Sequence, residues 1–70
     1  MEQLDFSLTS DYIELIKLLK LLNLVESGAD AKIVVEEGLV KCNEEVEFRK
    51  RKKLRPGDIV VFQNNTITIS

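Results

Sequence analysis

Seventy residues make one domain, near the lower limit at which a chain buries enough apolar surface to fold without metal, disulfide or partner. With 44% hydrophobic and 31% charged residues the composition is globular, which excludes the low-hydrophobicity signature of disorder. A single Cys and no His exclude an internal disulfide and any plausible zinc-ligand set, and a lone thiol points to a reducing compartment, by default the cytoplasm.

Leu4, Phe6 and Leu8 alternate with Gln3, Asp5 and Ser7, the period of a short edge strand with one buried face. The acidic start, with Glu2 and Asp5, does not read as a signal peptide, and no apolar run approaches the roughly 20 residues of a membrane span. Neither insertion nor export is expected. Asp11, with Glu14 three residues on, predicts a capped helix over residues 12–22. Tyr12, Leu15, Ile16, Leu19 and Leu22 share one face of it, and Ile13, Leu18 and Leu21 widen the stripe enough for contacts on two sides.

Ser27 and Asp30 have capping-box spacing at the start of a second helix, of about ten residues, ended by Gly38. Small Gly28, Ala29 and Ala31 leave room near its first amides, where the partial positive charge of a helix sits. Two strands then form a hairpin. A three-residue loop, Asn43-Glu44-Glu45, sets Cys42 opposite Val46 and Val40 opposite Phe48, whereas a two-residue loop would set Val40 opposite Glu47; the longer loop is expected. Pro56-Gly57 suits a type II turn into a strand ending near Gln63. Asn64-Asn65 reads as a further two-residue turn, pairing Phe62 with Ile67 and Val60 with Ile69. The expected whole is a single α/β (α+β) unit over residues 1–70, two helices packed on a small antiparallel sheet.

Charge is distributed unevenly. Residues 1–48 hold four Lys and eleven acids, giving -7, while residues 49–58 hold six basic residues and one acid, giving +5. The run Arg49-Lys50-Arg51-Lys52-Lys53, with Arg55, therefore dominates what the otherwise acidic chain attracts. Exposed basic residues also keep a sheet edge from pairing with another chain. Solubility alone would not require such clustering in an acidic domain, so the run points to nucleic acid. Phe6, Phe48 and Phe62 fall on expected core faces, which favours phosphate and shape recognition over base stacking.

Catalysis is not expected. There is no histidine, Cys42 alternates into an apolar strand as a small buried hydrophobe, and Ser27 is explained as a cap. The pairs Glu36-Glu37 and Glu44-Glu45 point in different directions and carry no ligand motif, so neither metal nor cofactor is expected. Gly28, Gly38 and Gly57 are isolated and form no phosphate-binding loop.

The order Ser27-Gly28-Ala29-Asp30-Ala31-Lys32, then Glu37-Gly38-Leu39-Val40-Lys41-Cys42-Asn43, then Arg49-Lys50-Arg51 and Pro56-Gly57-Asp58 resembles the RNA-binding domain named after small-subunit ribosomal protein S-four. Within that superfamily it is most similar to the free-standing bacterial YbcJ-like branch. The resemblance spans about Phe6 to Ile69. It implies the alpha-L motif, a helix-turn-helix-like pair on a small sheet that binds structured RNA through the second helix and the strand loop after it, and association with the ribosome or its assembly rather than catalysis. Ser27 matches the serine that opens the second helix, Lys32 its basic residue, Gly38 the terminating glycine, Asn43 the start of the hairpin turn and Gly57-Asp58 the second turn. Gly28 replaces the Arg found there in many larger members, Leu15-Ile16-Lys17 replaces their Arg-Leu-Asp, and Glu44 stands where a glycine is usual.

Together these readings give a non-catalytic, bacterial, cytoplasmic RNA-binding protein, expected to be a monomer and ribosome-associated, with no membrane or small-molecule partner. Arg49, Lys50, Arg51, Lys52 and Lys53 are the expected phosphate contacts, with Lys32 and the amides after Ser27 on the adjoining backbone. Lys20, Lys41, Asn43 and Arg55 are secondary candidates. The competing reading is a protein-interaction module that docks an acidic partner through the basic strand-loop.

Overall fold

A computed structural model describes residues 2–70; Met1, inside the expected unit 1–70, lies outside the described residues. In chain order the elements are β1 (Glu2–Phe6), β2 (Ile13–Glu14), α1 (Leu15–Leu21), α2 (Gly28–Glu36), β3 (Val40–Cys42), β4 (Glu45–Val46), β5 (Lys53–Leu54), β6 (Ile59–Phe62) and β7 (Asn65–Ile69). Five strands form one sheet in the order β1-β7-β6-β3-β4, and β2 with β5 forms a separate two-stranded ladder.

Both helices contribute to one core with the sheet. Leu15, Leu18 and Leu19 of α1 and Ala31 and Val35 of α2 are buried with Val40, Cys42, Val60, Phe62, Ile67 and Ile69 of the sheet. Leu4, Phe6 and Leu8, half-buried, pack against this cluster, as the alternation in β1 predicts. The sheet is mixed rather than wholly antiparallel, because β1 runs parallel to β7. A parallel pair needs a long crossover, and here nearly the whole chain lies between the two strands.

The first helix is shorter than its apolar pattern suggests. Ile13 and Glu14 pair with Leu54 and Lys53, so these residues form β2 and the helix starts only at Leu15. Asp11 is exposed and does not cap it; Glu14 occupies the cap position and makes no side-chain cap bond. Leu21, placed by periodicity on the apolar stripe, is 60% exposed. The second helix starts as the sequence predicts, with the Asp30 amide donating to Ser27 Oγ at 3.2 Å. It ends with Gly38 at φ 74°, where the Gly38 and Leu39 amides donate to the Val35 and Val34 carbonyls and close the last turn.

Both hairpin registers differ from expectation, with unequal consequences. Gln63-Asn64, not Asn64-Asn65, forms the β6-β7 turn, so Phe62 pairs with Asn65 and Val60 with Ile67. That is a slip of two residues and leaves the same side chains inside. The β3-β4 turn is Asn43-Glu44 rather than a three-residue loop. Lys41 faces Val46, Cys42 faces Glu45, and the Glu47 amide donates to the Val40 carbonyl. This one-residue slip turns Val46 and Phe48 to the outside, where they are 43% and 61% exposed. Asn43 and Glu44 have φ of 52° and 74°, the two left-handed residues that a tight hairpin turn requires.

Candidate nucleic-acid interface

The basic run forms the connection from β4 to β5, and the core fixes its path. The first amides of α1, on Leu15 and Ile16, donate to the carbonyls of Lys52 and Lys50 at 3.0 and 3.2 Å. Helix-initial amides need acceptors, and here a loop backbone serves instead of a side-chain cap. The Lys52 amide closes back on the Arg49 carbonyl, and β5 is paired to β2. With its carbonyls turned to α1, the loop is held by its backbone and leaves its cationic side chains outward.

Three of its six cations are engaged by carboxylates. Glu47, 12% exposed, takes the Nε and Nη2 of Arg49 at 2.9 and 3.1 Å as well as the Arg49 amide at 2.9 Å. Lys52 Nζ approaches the same carboxylate at 3.9 Å, and Lys50 Nζ reaches Glu36 of α2 at 3.6 Å. The Arg49 hydrogen bond, foremost, outweighs the effect of burial and holds the Glu47 carboxyl below its usual range. Arg49 nevertheless keeps a side chain 73% exposed, so the clamp orients the guanidinium without hiding it. Lys53 Nζ stands 4.9 Å from the centre of the Tyr12 ring, a cation–π contact. No ion pair engages Arg51 or Arg55 among the described residues. Arg49, Arg51, Lys52, Lys53 and Arg55 line an open concavity of about 490 Å³.

The remaining candidates divide by position. Lys32 lies one helical turn before Glu36, the carboxylate that holds Lys50, and one turn after Gly28, so a stripe of α2 leads from Ser27 to the basic loop. Lys41 is exposed on the outer sheet face between Val46 and Val61. Lys20 sits in the last turn of α1, at the end away from the loop. The Asn43 side chain is engaged internally: Nδ2 donates to Asp58 at 3.1 Å, and Oδ1 accepts from the Ile59 amide at 3.0 Å. Asp58 in turn accepts from the Arg55 amide at 2.9 Å. Burial pushes the Asp58 carboxyl up, but the bonds from Arg55 and Asn43 and the nearby Lys52 and Arg55 charges together hold it low. Asn43 and Asp58 thus lock the hairpin turn to the Pro56-Gly57 turn.

Two features escaped the sequence reading. Glu47 looked like one more acid of the acidic half but organises the basic loop. Phe48, assigned to the core, is exposed, which withdraws the reason for discounting base stacking at this one ring, while Phe62 is buried and Phe6 half-buried as expected. Cys42 is buried, and burial, foremost, raises its thiol to a pKa of about 11. Among the described residues no cluster of His, Cys, Asp or Glu is arranged to hold a metal, and no helix is long and apolar enough to cross a membrane.

Comparison with known proteins bears on the same residues. Residues 6–70 match the S4 domain family. A relative from Escherichia coli (strain K12), named as a candidate RNA-binding protein, YbcJ, is 45% identical over 58 residues, 83% of each chain. YbcJ of Shigella flexneri gives the same figures. The solution structure of E. coli YbcJ, described as revealing an αL motif involved in RNA binding, superposes with a TM-score of 0.70 at 44% identity, covering 93% of this chain and 84% of that one. With the capped second helix, the Gly38 stop and the turn-locked basic loop in place, the chain belongs to the S4 domain family.

Proposed function

We propose that this protein is a non-catalytic RNA-binding module that recognises structured ribosomal RNA, on a subunit or during its assembly, by phosphate and shape contacts. The observation that carries the reading is the basic loop: its backbone is fixed by α1, and five of its cations surround one open concavity. A cation cluster on a fixed backbone suits phosphates, since the backbone's ordering cost is already met before binding. Family membership and the RNA-binding description of E. coli YbcJ support the same reading. Arg51 and Arg55, without ion pairs among the described residues, are the leading phosphate contacts, followed by Lys53, Arg49, Lys52 and Lys50. Lys32 and the helix start at Ser27 extend the surface along α2, and Lys41 extends it across the sheet.

Co-sedimentation with bacterial ribosomal particles at low and moderate salt tests the ribosomal part of the proposal. Wild type is expected to travel with a subunit or precursor, and the Arg51→Gln/Arg55→Gln variant to be released at moderate salt. Wild type remaining in the supernatant at both salt concentrations would contradict ribosome association.

A further inference from the structure

Phe48 is the most exposed of the large apolar side chains among the described residues. It is nevertheless seated. A Cβ added at Gly38 would stand 3.2 and 3.4 Å from Cε1 and Cζ of its ring, and 3.5 Å from Val46 Cγ1. The ring therefore rests against backbone that carries no side chain, at a glycine that exposed Val46 also approaches and that exposed Leu39 follows in the chain. Val46 shares its sheet face with Lys41, and the residue after Phe48 is Arg49, whose exposed guanidinium is held by Glu47. An aromatic ring supported from one side, open to solvent and bordered by cations has the makings of a stacking site.

We propose that Phe48 is a stacking platform for one unpaired RNA base, with Arg49 taking a neighbouring phosphate. The proposal rests on the RNA-binding reading above and deepens it: the RNA must present a single-stranded base beside the helical part that the loop engages. Charge favours a nucleobase over a protein surface as the occupant. Phe48 is continuous in sequence with the basic loop, and the acid that precedes it, Glu47, is turned to Arg49 and Lys52. Stacking tolerates any base, so Phe48 selects strandedness rather than sequence.

The test compares two RNA probes, a hairpin with an unpaired adenosine-rich loop and the blunt duplex of its stem, titrated with wild type, Phe48→Leu and Phe48→Trp. Phe48 is exposed, so Phe48→Leu is expected to fold, which its thermal unfolding curve checks. Wild type should prefer the hairpin, and Phe48→Leu should lose roughly 5- to 30-fold of hairpin affinity, the equivalent of one stacked base, with duplex affinity and salt slope unchanged. Phe48→Trp should keep the preference, and its fluorescence, from the only tryptophan in that variant, should be quenched by the hairpin and not by the duplex. Unchanged hairpin affinity in Phe48→Leu overturns the assignment and leaves the apolar patch as a protein-docking face. An equal loss on both probes also overturns it, by showing that Phe48 only shapes the loop. Wild type binding neither probe removes the RNA-binding reading itself.

Discussion

Glu47 lies under Arg49 and Lys52, two of the cations assigned to phosphate, and it sets how their side chains are placed on the loop whose backbone α1 holds. Without it these side chains would repel each other and spread; with it Arg49 is fixed in place while most of its surface stays open. Its carboxyl titrates below the ordinary value of 4.5, so the stability it supplies is fully present above that value and is lost as pH falls through the depressed folded value. Asp58 acts in the same direction from an ordinary value of 3.8. Glu47→Gln is expected to be about 0.5–1 kcal/mol less stable than wild type at neutral pH. It should also lose less stability than wild type on acidification below 4.5, the remaining loss including that from Asp58. Urea unfolding across pH reads both effects, and parallel acid limbs in the two proteins would remove Glu47 from this role. Nothing in the sequence distinguishes this acid from Glu44 or Glu45. Its partner is two residues away along a loop whose path is set by α1, a tertiary fact that no local pattern carries.

At the scale of elements, what the sequence made legible followed from chemistry local to each segment. Ser27 with Asp30, Gly38 at a positive φ and the Pro56-Gly57 turn all behave as their residue types require. The start of α1 was not legible, because Ile13 and Glu14 pair with a strand about forty residues away, and tertiary pairing overrode helical periodicity. The β3-β4 hairpin was misread because the apolar partners Cys42 and Val46 argued for a three-residue loop. Turn geometry decided otherwise, and with that single residue Phe48 moved from the core to the surface. Glu44 records the cost: it holds φ 74° at a place where a glycine is expected. Glu44→Gly should therefore stabilise the protein by about 0.5–1 kcal/mol, relieved left-handed strain offset in part by the entropy of an unfolded glycine. Thermal or chemical unfolding measures it, and a destabilised variant would mean that Glu44 makes a compensating contribution.

Over the whole molecule, an acidic domain carries one fixed cationic surface. Net charge alone, -2, would argue against a polyanion partner, whereas the separation of +5 from -7 along the chain argues for one. The structure orients three of the cations on Glu36 and Glu47 without hiding Arg49 and gathers five cations around one concavity, with the Lys32 stripe of α2 leading toward it. The site was legible as a charge cluster. Its division into engaged and free cations was not, since that depends on which acids the fold brings beneath it.

The most direct test of the RNA reading is the salt dependence of affinity for a structured RNA, wild type beside Arg51→Gln/Arg55→Gln. Each phosphate released from its counterions contributes about -0.7 in a single strand and about -0.9 in a duplex to the slope of log K against log salt. The double variant should bind more weakly at low salt and with a slope shallower by about 1.4–1.8 for two lost contacts. Equal slopes and affinities in the two proteins would contradict the account, because the free cations of the loop would then take no part in holding RNA.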